Sequence, residues 1–191
     1  MNNKAIFRLW VHKYCFFLYK KNMSITEDQF RKTLGLFPTG VTVVTTPKGG
    51  EDATLTISSF TSVSLNPFQI LFCLSKQSKT APIFLECTYF AANVLNAHQA
   101  HVADEFAKRL PQAGQNLKMS RDGETGCLLF SEALGHVICE KGPIYEGGDH
   151  HIILGRVISV GIGSHELPLV RQRGQYLTTQ SLPTEFLQKV S

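Results

Sequence analysis

The sequence predicts a mainly β protein, an antiparallel barrel or sandwich with two or three flanking helices, and three observations carry that expectation. At least six short segments are dense in Val, Ile, Thr and Phe, residues that suit a pleated, half-buried surface. Clusters of Gly, Pro and Asn, not helices, separate most of them. Parallel winding needs a crossover helix after nearly every strand, and only two or three stretches repeat their apolar residues at helical spacing.

Residues 1–22 hold Lys4, Arg8, Lys13, Lys20 and Lys21 with no acid, together with six of the 19 aromatic residues. Lys and His interrupt the apolar run too often for a secretory core, although a basic aromatic stretch also suits a membrane surface. The segment is expected to lie outside the fold, with the domain over 23–191 and Met23 a candidate initiator.

Thr26-Glu27-Asp28-Gln29 is a capping box that opens a helix over 26–36, with Phe30, Leu34 and Phe37 on one face and Pro38 as its stop. Residues 41–46, β-branched throughout, form a strand ended by Pro47-Lys48-Gly49-Gly50. Residues 55–64 read as the next strand, in which Phe60 and Val63 break the alternation and signal a bulge or bend. After Asn66-Pro67, residues 68–74 are apolar except Gln69 and form a buried strand. Ile83-Phe84-Leu85 suits a short helix with Pro82 in its first turn and Thr80 as its N-cap. A strand over 89–95 then meets Asn96, which caps a helix over 98–110. Residues 111–126 are polar and Gly-rich, a loop. Strands over 128–130, 133–140 and 151–160 complete the set, the last two joined across Gly142-Pro143 and Glu146-Gly147-Gly148-Asp149.

Composition narrows the function. Outside 1–22, 14 basic face 15 acidic side chains, a net −1, so no nucleic-acid footprint is expected. No apolar run approaches the ~20 residues of a spanning helix, so no membrane span is expected. The five cysteines form no Cys-x-x-Cys pair and mostly sit in apolar runs, as reduced thiols of a cytoplasmic protein do. Rossmann, phosphate-loop, nucleophile-elbow and zinc-protease motifs are all missing. His98, His101 and Glu105 have metal-ligand spacing, but Asp104, Lys108 and Arg109 make that face a solvated one, and no metal is expected.

Three features can carry chemistry. Thr54, Thr56, Ser58, Ser59, Thr61, Ser62 and Ser64 put dense hydroxyls along one strand, suiting either a polar planar ligand or a solvent-facing edge. Ser75-Lys76-Gln77-Ser78-Lys79-Thr80 leads into a helix start, either an anion site suited to phosphate or a capped surface turn. Gly148-Asp149-His150-His151 opens a strand, so only one of the two imidazoles faces a given pocket, as a ligand contact or as a structural histidine.

Several stretches, in order, resemble the flavin reductase family that serves two-component monooxygenases. They are Phe37-Pro38-Thr39-Gly40-Val41-Thr42-Val43-Val44-Thr45-Thr46, Leu55-Thr56-Ile57-Ser58-Ser59-Phe60-Thr61-Ser62-Val63-Ser64-Leu65-Asn66-Pro67, Phe72-Cys73-Leu74 with Ser78-Lys79-Thr80, Phe90-Ala91-Ala92-Asn93-Val94-Leu95, Ala133-Leu134-Gly135-His136, and Gly148-Asp149-His150-His151-Ile152-Ile153-Leu154-Gly155-Arg156-Val157. Pro168-Leu169-Val170 and Gly174-Gln175-Tyr176 also fit, so the likeness spans about residues 27–178, with 111–126 matching poorly. The resemblance implies a six-stranded antiparallel split barrel, a homodimer, and flavin in a groove near the subunit interface. It implies that Thr56, Ser58 and Ser59 contact the ring and ribityl chain. Ser75, Ser78, Lys79 and Thr80 would hold the phosphate, and Asn93 would lie close to the flavin. Thr39 and Ile57, inside the matching stretches, join the cofactor-binding set, and His150 matches the histidine beside the nicotinamide. The implied reaction is hydride transfer from NADH or NADPH to FMN or FAD, with reduced flavin passing to a flavin-dependent monooxygenase. A flavin carrier or store would share these residues but would not need His150, and a pyridoxal-phosphate oxidase-like barrel would want more basic residues at the phosphate.

Overall fold

The computed structural model describes residues 24–49, 51–107 and 117–181. Residues 1–22, expected outside the fold, fall outside that set. The chain divides into two compact units, 1–34 and 35–191. In the first, helix α1 (Glu27–Leu34) begins at the capping box: Thr26 N donates to Gln29 Oε1 at 3.0 Å and Gln29 N to Thr26 Oγ1 at 3.2 Å.

The second unit holds strands β1 (Thr39–Gly40), β2 (Thr42–Lys48), β3 (Glu51–Ile57), β4 (Thr61–Leu65) and β5 (Phe68–Ser75), then helix α2 (Ala81–Glu86) and β6 (Tyr89–Val94). A 3-10 turn (Ala97–Gln99) leads into α3 (Ala100–Ala107). After it come β7 (Met119–Arg121), β8 (Leu128–Phe130), β9 (Gly135–Gly147), β10 (His150–Ile162), β11 (Val170–Gln172) and β12 (Gln175–Leu177). Seven strands form one sheet in the order β3-β2-β6-β9-β10-β5-β4, every neighbouring pair antiparallel.

Its two edge strands, β3 and β4, are consecutive in the chain. Laid flat, seven strands at ~4.8 Å spacing would hold those edges ~29 Å apart. The four peptide links from Ile57 to Thr61 reach at most ~14 Å. The sheet must therefore curl until its edges meet at this end, and since β3 and β4 share no ladder the barrel stays split. The class is the expected one, with seven strands where six were expected.

Two boundaries differ from the sequence reading. Residues 55–64 are two strands, because Ser58-Ser59-Phe60 carries the chain from one sheet edge to the other, and the bulge between Ser62 and Ser64 absorbs Val63. β9 runs unbroken through Gly142-Pro143 to Gly147. Its pairing with β6 stops at Tyr89↔Glu140, so Pro143 lies where β9 has a neighbour on one side only and its missing amide breaks no ladder there. Within the expected loop, residues 119–121 pair with β8, while 111–116 fall outside the described residues. The expected helix over 98–110 is described only as far as Ala107.

β2 is buried on both faces, and its neighbouring valines enter different cores. Val44 joins Ile57, Phe72, Leu74, Phe84, Phe90 and Ile153 inside the barrel, whereas Val43 joins Leu95, Val102, Phe106 and Phe130 against α3. Phe72 meets Phe84 and Phe90 edge to face, with centroids 6.1 and 5.2 Å apart. Gly155 allows a close approach inside the barrel: a Cβ there would lie 2.5 Å from Phe90 Cζ and 2.9 Å from Cys139 Cβ.

Candidate functional site

The ends of β5 and β10 build the site. Ser75 pairs with His150, and Lys76 N donates to the Asp149 carbonyl at 3.0 Å. Buried Leu74 and Ile153 fix the inner face of these strands, so alternation places Ser75 and His150 on the outer face. His151 lies on the other face, its Nδ1 3.5 Å from Glu146 Oε1.

Beyond Ser75 the chain turns tightly. Ser78 N donates to Ser75 O at 3.0 Å, Gln77 N to Ser75 Oγ at 3.3 Å, and Thr80 N to Ser78 Oγ at 3.3 Å. Thr80 occupies the N-cap of α2, but its hydroxyl makes no cap bond. It lies 2.9 Å from Ser78 Oγ, so two hydroxyls sit side by side on the turn. Thr80 is the expected N-cap without a side-chain cap bond, and Pro82 in the first turn leaves one amide fewer to satisfy. Lys79 is exposed and makes no ion pair among the described residues, while Lys76 is bound to Glu146. That pair holds the Glu146 carboxyl below its usual range.

Ser59 reaches this end from the barrel's closing segment. Its Oγ accepts the Cys73 amide at 3.0 Å and lies 3.4 Å from the Cys73 carbonyl. Cys73 is two residues before Ser75, ~7 Å along the strand. Exposed Ser58 adjoins Ser59. One barrel end thus collects Ser58, Ser59, Ser75, Ser78, Lys79, Thr80 and His150. The hydroxyls and one unpaired ammonium are a donor set that fits a phosphate ester and its polyol chain.

The remaining expected residues are placed otherwise. Thr56 donates its hydroxyl to Ala103 O at 2.8 Å, tying β3 to α3. Ile57 is buried in the barrel core, so only its backbone can meet a ligand. Thr39 pairs with Arg171 in the small sheet β1-β11-β12. Asn93 has no exposed surface; its Nδ2 donates to Val43 O and Leu128 O at 3.3 and 3.2 Å, and its Oδ1 accepts Phe130 N at 3.0 Å.

Two acids that the sequence offers only as turn residues prove to have partners at the site. Asp149 Oδ1 lies 2.8 Å from His150 Nδ1, a bond that holds the Asp149 carboxyl below its usual range. Its adjacency to His150 was visible; what the bond does depends on the turn. Glu146 depends on the register Glu146↔His151, which a strand ending at residue 140 hides.

Comparison with known proteins gives the family. The flavin reductase like domain matches residues 34–180. Over 153 residues the chain is 33% identical to the reductase subunit of a flavin-dependent monooxygenase from Rhodococcus jostii, covering 80% of this chain and 78% of that one. It is 40% identical to an NADH-dependent FAD reductase from Streptomyces globisporus, covering 69% and 74%. The structure of an NADH:FAD oxidoreductase from Streptomyces globisporus with NAD and FAD fragments superposes with a TM-score of 0.76 at 33% identity, covering 85% of this chain and 98% of that one. The flavin reductase component of a bacterial two-component tryptophan halogenase gives 0.76 at 33%, covering 82% and 100%. With fold, residue order and local sequence in agreement, this chain belongs to the flavin reductase like family.

Proposed function

We propose that the protein is an NADH-dependent flavin reductase that hands reduced FMN or FAD to a separate monooxygenase. The observation that carries this reading is the convergence of Ser59, the hydroxyl-and-lysine turn and His150 on one barrel end. A bound flavin would supply the redox chemistry, acceptance of hydride from the nicotinamide. The chain supplies binding and position. Lys79, Ser75, Ser78 and Thr80 grip the phosphate, Ser58 and Ser59 bond the polyol and ring edge, and His150 steadies the nicotinamide. No proton need leave a buried acid. The NADH preference follows the relatives, named as NADH-dependent FAD or FMN reductases.

The active form in this reading is a homodimer. Leu65 and Ile162 are 81% and 89% exposed, Phe68 and Val160 are exposed beside them, and a groove of about 480 Å³ runs between β4, β5 and β10. Apolar surface of this kind on adjacent strands is what a second copy covers. A cytoplasmic setting suits the free thiols, and no helix among the described residues is long and apolar enough to cross a membrane.

Following absorbance at 340 nm with NADH or NADPH, with and without FMN, FAD or riboflavin, tests the reading. Flavin-dependent NADH oxidation is expected. A yellow protein that leaves both nicotinamides untouched would make it a carrier instead.

A further inference from the structure

The Asp149–His150 contact has a directionality that bears on which pyridine ring the site accepts. Nδ1 lies 2.8 Å from Asp149 Oδ1. An ionised carboxylate only accepts, so Nδ1 carries the proton, and in the neutral ring the lone pair is left on Nε2. Nε2 has no hydrogen-bond partner among the described residues, and His150 shares the outer face with Ser75. Exposed pairs are ordinarily weak because two loose side chains must be held together. Here the turn does the holding. Gly148 takes φ +75° to close the two-residue link between β9 and β10, and the Asp149 carbonyl is fixed by Lys76 N at 3.0 Å. That fixes the backbone of both residues, so the two neighbouring side chains start from set positions.

We propose that Asp149 is a positioning residue that sets the tautomer of His150, so that Nε2 accepts an N–H of the substrate carboxamide and selects a pyridine ring bearing a primary amide. This rests on the reading of His150 as the residue facing the nicotinamide. An acetyl group in place of the carboxamide keeps the carbonyl and loses the donor, so it forfeits the bond to Nε2. In Asp149→Asn the new amide can donate to Nδ1, which moves the ring proton to Nε2 and turns an acceptor into a donor.

Two measurements test this. Nitrogen-15 spectra of histidine-labelled protein, with the His150 signals assigned through His150→Gln, report the tautomer without turnover. The Nδ1–H form is expected in the parent, the Nε2–H form in Asp149→Asn and a mixture in Asp149→Ala. Calorimetry on FMN-loaded protein then compares NAD with its 3-acetylpyridine analogue. The parent should favour NAD by about 5–10-fold, the worth of one net hydrogen bond. Asp149→Asn should lose that preference, and Asp149→Glu should keep part of it. An Nε2–H tautomer in the parent, or an unchanged preference in Asp149→Asn, overturns the assignment. The two readings fail separately: parent protein inert toward NADH and flavin sinks the reductase, whereas active parent with an unmoved tautomer sinks the role of Asp149.

Discussion

Ser59 Oγ accepts the Cys73 amide at 3.0 Å, a side chain on the barrel's closing segment bonded to the backbone of β5. Ser58, one residue earlier, is exposed and has no such duty. Ser59→Ala should cost about 1 kcal/mol of stability, a typical net hydrogen bond. Ser58→Ala should change stability by less than ~0.5 kcal/mol, as surface substitutions do, and weaken flavin binding only. Urea midpoints beside flavin titrations check both. Equal destabilisation by the two changes would remove Ser59 from the closure.

The two lysines of the turn should behave differently. Lys76 is committed to Glu146, while Lys79 is unpaired among the described residues. Lys79→Ala should weaken FMN binding by roughly 10–100-fold, since a charge-assisted bond to phosphate contributes about 1.5–3 kcal/mol, and leave riboflavin binding unchanged. Lys76→Ala should have the smaller effect. Added salt should weaken FMN binding in the parent more than in Lys79→Ala. Fluorescence quenching of each flavin reports these affinities, and a riboflavin affinity that fell with that of FMN would mean Lys79 does not meet the phosphate.

How much of this could be read from the sequence depends on distance along the chain. The capping box at Thr26 and the strand at 41–46 were legible because three to six neighbouring residues determine them. The turn over 75–80 was legible as a cluster of polar groups, although Thr80's partner proved to be Ser78 and not the helix amides. The division of 55–64 into two strands was not, because it is set by sheet closure and not by local propensity. Asn93 taught the same lesson. Its place in a matching stretch suggested a ligand contact, and only the fold shows its amide spent on β2 and β8. Glu146 needed a hairpin register that Gly142-Pro143 concealed.

Asn93 therefore yields a stability prediction. Asn93→Ala deletes three hydrogen bonds and leaves the Phe130 amide without its acceptor. The expected cost is roughly 2–4 kcal/mol. At 2–4 °C per kcal/mol for a chain of this size, Tm should fall by roughly 5–15 °C. Flavin affinity of the protein that remains folded at low temperature should hold within about twofold, since a one-hydrogen-bond loss would exceed that. A large loss of affinity with little change in Tm would place Asn93 at the ligand.

Burial of Cys139 makes alkaline stability a sharper probe than acid stability. Its thiol has no exposed surface and is pushed from an ordinary value of 9.0 up to about 12, because the thiolate would lose its hydration inside the barrel. Burial raises Cys127 and Cys87 as well. The sign follows from linkage: the unfolded chain releases these protons first, so above the unfolded value the folded form binds more protons and stability falls as pH rises. The contribution of Cys139 is fully present below pH 9.0 and is lost progressively toward about 12, and Cys127 and Cys87 act in the same direction. Urea midpoints at pH 8, 9, 10 and 11 should therefore decline with increasing slope. In Cys139→Ala the midpoint should be lower at pH 8, since a buried side chain is truncated, but its fall with pH should be shallower. Iodoacetamide at pH 8 should spare Cys139 in the folded protein and modify it in urea. A thiol that reacts at once in the native state, or a slope unchanged by the substitution, would show that Cys139 is not the sealed thiol the barrel core encloses.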